Sequence, residues 1–231
     1  MAQYFTDFSE YVLGEPPGDW VKQVNGDEVS LEVVTHNAFA GLKITTTQVN
    51  IRRALVRWDK VPPTYNSNFF TVWYADTDRH DARVASRINT DRVEQSNITC
   101  YMDGARRNTS DIRINSYNNG SFSNHLATDW AENGPYFGQM VSVEGNECRV
   151  SVWSAVSLDN VYSNVPAEYD YSATRPDFPA GKVGVLIVTH SNYSLGHTLL
   201  AYGVGTDGDP APTGPVTPTQ RKTSPLIWSA F

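Results

Sequence analysis

The chain has 231 residues, 40% hydrophobic and 19% charged, a length that suits one large all-β domain or two small ones, with enough apolar residues for a core. A formal charge of −7 argues against non-specific nucleic-acid binding and against docking on an anionic membrane. With 12 Tyr and 6 Trp, aromatic residues reach 12%, which favours strands and binding surfaces over helices.

Helical periodicity is almost absent. Short alternating runs separated by Gly, Asn, Asp and Pro point to a sandwich or barrel. The first residues, MAQYFTDFSEYV, hold neither a basic stretch nor an apolar run, so cytoplasmic synthesis without a secretory route is expected. An opening strand near Asp7-Phe8 and a turn at Gly18-Asp19-Trp20 come first. Val29, Leu31 and Val33 then alternate with Glu28, Ser30 and Glu32, and Leu42 and Ile44 follow a turn at Ala40-Gly41. Ala54, Val56 and Trp58 oppose Arg53 and Arg57, and Pro62-Pro63 ends that run. Residues 69–75 are apolar on both faces, which suits a central strand. Val84, Ser86 and Ile88 face opposite to Arg83, Ala85 and Arg87. Ile98, Cys100 and Met102 are expected to pair with Ile112 and Ile114 across a connection from Asp103 to Asn108.

The sharpest hairpin signal is Gly145-Asn146, a two-residue turn between alternating runs. Folding about it sets Val143 opposite Cys148, Val141 opposite Val150, Ser142 opposite Arg149 and Met140 opposite Ser151, with one face uniformly apolar. Residues 181–205 read as two strands around a polar loop. Val183, Val185 and Ile187 form one face of the first. Leu200, Tyr202 and Val204 form one face of the second, and Leu199 and Ala201 the other. Asp207-Gly208-Asp209-Pro210 stops the pairing. From Thr206 onward the composition turns Pro-rich, and the stretch ends in an apolar string after a polar spacer. Cys100 and Cys148 read as free core thiols rather than a disulfide framework.

Three pieces, taken in order, resemble the concanavalin A-like lectin/glucanase jelly rolls, which include laminin-G-like domains. They are Gly14-x-x-Pro17-x-x-Trp20 after an opening strand, the residue 136–153 pair with its Gly-Asn turn and closing Trp153, and Phe178-Pro-Ala-Gly-Lys-Val-Gly-Val. The ending Val204-Gly-Thr-Asp-Gly-Asp-Pro-Ala-Pro-Thr resembles versions found in structural proteins of tailed bacteriophages. The resemblance implies an all-β, two-sheet antiparallel jelly-roll sandwich over residues 1–205, with an extended C-terminal arm over 206–231. Fold alone assigns no activity.

Glucanases of that superfamily carry Glu-x-Asp-x-x-Glu on a strand. The nearest string here, Glu168-Tyr169-Asp170-Tyr171-Ser172-Ala173, lacks the third acid and sits in a loop, so no catalytic residue is assigned. The five His residues show no metal-ligand spacing; His190 and His197 bracket a polar loop. Asp76/Asp78 and Asp207/Asp209 fall short of a calcium loop, so no metal or cofactor is expected. Glycan-binding candidates are Tyr101, Tyr117, Arg149 and Trp153, which combine stacking faces with donors beside Arg113 and Asn115.

The expected function is that of a non-catalytic structural protein of a phage particle, decorating the capsid or part of the tail. It would assemble through an arm carrying Pro215, Pro218, Pro225, Leu226, Ile227, Trp228 and Phe231. Its partners would be other virion proteins and copies of itself, and its place the virion, without nucleic acid or membrane. The alternative is a lectin-like module for host surface polysaccharide. A glycan hydrolase or polysaccharide lyase ranks behind both.

Overall fold

The computed structural model describes residues 2–24, 29–46, 54–75, 80–89, 100–106, 111–118, 121–131, 134–189 and 196–214. In chain order these form β1 (Gln3–Thr6), β2 (Trp20–Val24), β3 (Val29–His36), β4 (Phe39–Thr46), β5 (Ala54–Trp58) and β6 (Ser67–Ala75). Next come β7 (His80–Ile88), β8 (Cys100–Arg106), β9 (Asp111–Asn118), β10 (Ser121–Asp129), β11 (Tyr136–Glu144) and β12 (Glu147–Ala155). A short helix, α1 (Leu158–Ser163), precedes β13 (Tyr171–Thr174), β14 (Lys182–Thr189) and β15 (Gly196–Thr206). The first sheet runs β13-β12-β11-β6-β15-β4-β3, with β1 also on β15; the second runs β10-β9-β8-β7-β14-β5-β2. Every pairing with a described register is antiparallel. The result is the two-sheet sandwich that the sequence implied.

Alternation fills the space between the sheets. Val29, Leu31 and Val33 of β3 are buried there, while Ser30 and Glu32 are exposed. Trp20 and Trp58 stack with ring centroids 5.5 Å apart, and Tyr202 meets both edge-on. Burying such rings supplies much of the core's stabilisation, at about 25 cal/mol for each Å² of apolar surface removed from water. Polar side chains also cross the layer. The Tyr202 hydroxyl donates to the Gly184 carbonyl at 2.9 Å, joining β15 to β14. Gln139, fully buried on β11, donates to the Ala82 carbonyl at 2.8 Å and accepts from Thr71 Oγ1 and Trp73 Nε1. Full satisfaction is what makes such burial tolerable.

The hairpin about Gly145-Asn146 has the expected register, pair for pair. Cys148 is buried in the core, while the side chain of Cys100 lies outside the described residues. The two strands expected within residues 181–205 are present and belong to different sheets: β14 lies in the second between β7 and β5, and β15 in the first between β6 and β4. Other expectations need correction. A bulge between Leu199 and Ala201 shifts the strand's phase. Leu199, Tyr202 and Val204 therefore face the core, while Leu200 and Ala201 pack on the opposite side. A similar irregularity surrounds Arg87, whose φ of 53° breaks the alternation of β7. Ile88 consequently joins Ala85, Leu55 and Leu186 on the outer face instead of joining Val84 inside. Asp103 to Arg106, expected in a connection, belong to β8. His197 is a buried strand residue rather than a loop anchor.

The outer face of the first sheet is covered. Helix α1 starts at Ser157, whose hydroxyl accepts from Asn160 N, and buries Leu158 and Val161 against Phe70, Val72 and Leu200. Residues 209–212 then lie across β15. A Cβ on Gly203 would stand 2.1 Å from the Pro212 carbonyl oxygen, and one on Gly205 2.1 Å from that of Asp209. Only glycine permits that approach. The chain after β15 therefore stays on the sandwich as far as Gly214 in the described residues.

Candidate glycan-binding face

Four consecutive strands, β7 to β10, each antiparallel to the next, build one half of the second sheet's outer face. Ile112 and Ile114 of β9 point into the core, so Arg113, Asn115 and Tyr117 face outward. Register carries that face across the sheet. Tyr117 lies opposite Tyr101 on β8 and opposite Phe122 on β10. Two residues along, about 7 Å away, Asn115 lies opposite Asp103 and Asn124. A row of aromatic residues thus runs beside a row of amide and carboxylate positions.

Packing fixes the β9 and β10 members of both rows. Tyr117 rests against the apolar patch of Leu55, Ala85, Ile88 and Leu186. Phe122 remains 45% exposed at the edge, and Asn124 is exposed beside it. Arg83 and Asn115 are buried. With its amide oxygen facing Arg83, Asn115 accepts from Arg83 Nη1 at 3.1 Å and donates to Asn124 Oδ1 at 2.7 Å. The bond from Arg83 orients Asn115, and Asn115 in turn orients Asn124 at the surface. Such a face can stack the C–H side of a sugar ring on an aromatic plane while amides meet its hydroxyls.

Proton transfer finds less support. Toward this face β7 offers Arg83 and Ala85; a guanidinium does not deprotonate in the working range. Glu168 and Asp170 lie on the other side of the sandwich, where the Ser151 hydroxyl donates to the Glu168 carbonyl and accepts from Asp170 N. A glycosidic general acid needs a raised pKa. Asp59 is instead held below the usual carboxylate range by Arg57, Glu147 by Arg149, and Asp177 by the Tyr65 hydroxyl and then Arg87. Among the described residues no group of three His, Cys, Asp or Glu side chains could hold a metal ion. Asp207 and Asp209 shape a turn, with Asp209 N donating to the Thr206 carbonyl; Asp76, Asp78 and His190 lie outside the described residues.

No protein-family model matches the sequence, and no curated protein matches it. Solved structures do match. The β-glucanase of Bacillus licheniformis has a TM-score of 0.56 at 11% identity, over 89% of this chain and 99% of that one. Lectin II from Ulex europaeus has a TM-score of 0.53 at 10% identity, over 88% of this chain and 97% of that one. The carbohydrate-binding module CBM66 from Bacillus subtilis has a TM-score of 0.52 at 9% identity, over 78% and 91%. The chain has the concanavalin A-like lectin/glucanase jelly-roll fold.

The four glycan-binding candidates divide between the two sheets. Tyr101 and Tyr117 are register partners on the second sheet. Arg149 and Trp153 belong to β12, whose Cys148, Val150 and Val152 face the core, and so they project from the first sheet. Trp153 is structural there: its Nε1 donates to the Val161 carbonyl at 2.9 Å and its ring packs on Phe70. Arg149 makes a two-pronged ion pair with Glu147 and lines a polar depression of about 280 Å³ with Asn68, Ser142, Glu144 and Tyr169. Sequence reasoning missed Phe122, Asn124 and Arg83. A signal for the first two was present. Asn119-Gly120, a strong hairpin dipeptide, separates Asn118 from its partner Ser121. Folding about it brings Phe122 to Tyr117. The arm candidates Pro215, Pro218, Pro225, Leu226, Ile227, Trp228 and Phe231 lie outside the described residues.

Proposed function

We propose that this chain is a lectin-like carbohydrate-binding module whose ligand lies on the outer face of the second sheet. One observation carries the reading: the Phe122–Tyr117–Tyr101 register row beside Asn124, Asn115 and Asp103. Similarity to a lectin and to a carbohydrate-binding module adds support at the level of fold. The aromatic row supplies a stacking surface for the apolar face of a pyranose. Asn124, held by Asn115 and through it by Arg83, supplies directed amide groups at the rim. Binding needs no cofactor.

A glycan array probed with the full chain, followed by titration of each hit, tests this. Binding to one or a few polysaccharides, weakened by Phe122→Ala and untouched by Arg149→Ala, is expected. An array with no hit, or affinity indifferent to Phe122→Ala, would overturn it. Release of reducing ends or unsaturated products from a bound polysaccharide would make the chain a hydrolase or lyase.

A structural role in a tailed-phage particle is the second proposal. Its support is an apolar pocket bordered by Gly214, the last described residue before the arm candidates in the sequence. Localisation to the virion follows from that reading, and labelled protein that fails to incorporate into particles would remove it.

A further inference from the structure

The covered face of the first sheet also carries an apolar opening. A pocket of about 360 Å³ is walled by Phe5 of β1, Phe39 at the start of β4, Leu158 and Tyr162 of α1, Leu200 of β15 and the chain's own Gly214, with Asp7 also lining it. Phe39 is 49% exposed and Tyr162 38%. Exposed rings around one depression form the kind of apolar patch that marks a contact site.

The turn that presents Phe39 is built rather than incidental. Asn37 and Ala38 both have positive φ, 46° and 71°, a conformation that carries a steric cost for alanine. Asn37 Nδ2 donates to the Tyr136 hydroxyl at 2.7 Å, and His36 Nε2 lies 3.0 Å from the same oxygen. These bonds hold a strained hairpin tip that keeps Phe39 at the pocket.

Residues 215–231 supply a complementary sequence. Their spacer carries Arg221 and Lys222 and no acid, opposite in charge to Asp7. After it comes Leu226-Ile227-Trp228-Ser229-Ala230-Phe231, whose side chains need an apolar site. Reach selects the copy. The spacer from Pro215 to Pro225, with three prolines, spans about 34 Å when extended at roughly 3.1 Å per residue. Gly214 borders the pocket of its own copy, so an extended spacer carries residue 226 away from that pocket and toward a neighbour's.

We propose that residues 226–231 of one copy dock in the Phe5–Phe39–Tyr162 pocket of a second copy. Each copy then gives one arm and receives one. The contact closes as a reciprocal pair or a ring, or continues as a chain. The proposal does not rest on glycan binding and survives if the array is blank.

Sedimentation velocity of the full chain, from micromolar to near-millimolar concentration, tests it. Concentration-dependent association is expected, weakened about tenfold or more by Trp228→Ala and equally by Phe39→Ser. Tyr162→Ser serves as a second pocket variant should Phe39→Ser fold poorly. Mixing the Trp228→Ala chain with the Phe39→Ser chain restores one intact arm–pocket contact, so mixed dimers are expected where neither variant associates alone. Association unchanged in both variants would overturn the proposal. So would a chain that stays monomeric while Phe39→Ser speeds trypsin cleavage at Arg221-Lys222, because that result places the chain's own segment in the pocket.

Discussion

Arg87 Nη1 donates to Asp177 Oδ1 at 2.7 Å, joining a fully buried guanidinium on β7 to a half-exposed carboxylate before Phe178. The same arginine donates to the carbonyls of Tyr65, Phe178 and Gly145, and its guanidinium lies 4.0 Å from the centre of the Tyr65 ring. One side chain therefore ties the β11–β12 turn, the connection before β6 and the loop before β14 together. Replacing it with Met removes the donor from the Tyr65 and Phe178 carbonyls, while the Gly145 carbonyl keeps the bond from Arg175 Nη2 at 3.0 Å. A loss of about 3 kcal/mol in denaturant titration is expected.

Asp177 gives that tie a pH dependence. The Tyr65 hydroxyl and then Arg87 hold its carboxyl below the ordinary range. A depressed folded-state pKa stabilises the fold fully above the unfolded pKa of about 3.9, and the contribution disappears as pH falls through the folded value. Asp177→Asn should therefore melt lower than the parent at neutral pH. The gap should narrow below about pH 4, which thermal melts across the acid range will measure. A gap constant with pH would remove the charge from the account.

Trp153 separates stability from binding. Its indole bonds Val161 and packs on Phe70 beneath α1, on the opposite side of the sandwich from the Tyr117 row. Trp153→Ala is expected to cost about 3 kcal/mol in unfolding experiments, and Trp153→Phe about 1 kcal/mol for the lost hydrogen bond. Glycan affinity of the folded fraction should not change in either variant.

Gln139 tests the polar bridge between the sheets. Gln139→Leu keeps the volume but strands the Ala82 carbonyl, the Thr71 hydroxyl and the Trp73 indole N–H, although Trp73 retains a 3.0 Å bond to Thr71. A loss of about 2–3 kcal/mol is expected from the unsatisfied groups. Hydrogen exchange should accelerate at residues 71–73 and 82, where the network was.

These cases show what a sequence can carry. Alternation around Gly145-Asn146 predicts every pair of β11 and β12, because a two-residue turn leaves one register and one buried face. The same logic fails at Leu200 and Ile88, where a bulge reverses the faces and no residue type announces it. It fails again for Trp153 for a different reason. Its outward phase was legible, but α1, a six-residue helix with only a Ser157 cap as signal, covers that face. Sheet membership was the deepest omission. Tyr117 and Arg149 share an outward phase along their strands, and only the topology sends one to each side.

Phe122 is where the functional reading is most exposed to measurement. It is 45% exposed at the edge of the second sheet, so Phe122→Ala should cost under about 1 kcal/mol of stability. A ring that stacks on a sugar contributes about 1–1.5 kcal/mol, or roughly a tenfold change in dissociation constant. Isothermal titration with an array-identified glycan should show that loss, while the melting temperature barely moves. Asn124→Ala should weaken the same ligand by removing a rim amide and by releasing Asn115 from its 2.7 Å bond. Because Phe122 and Asn124 stand two residues apart on β10, the double variant should lose less than the sum of the single losses if one ligand spans both rows. Equal effects of Phe122→Ala on stability and affinity would mean instead that the aromatic row merely braces the edge of the sheet.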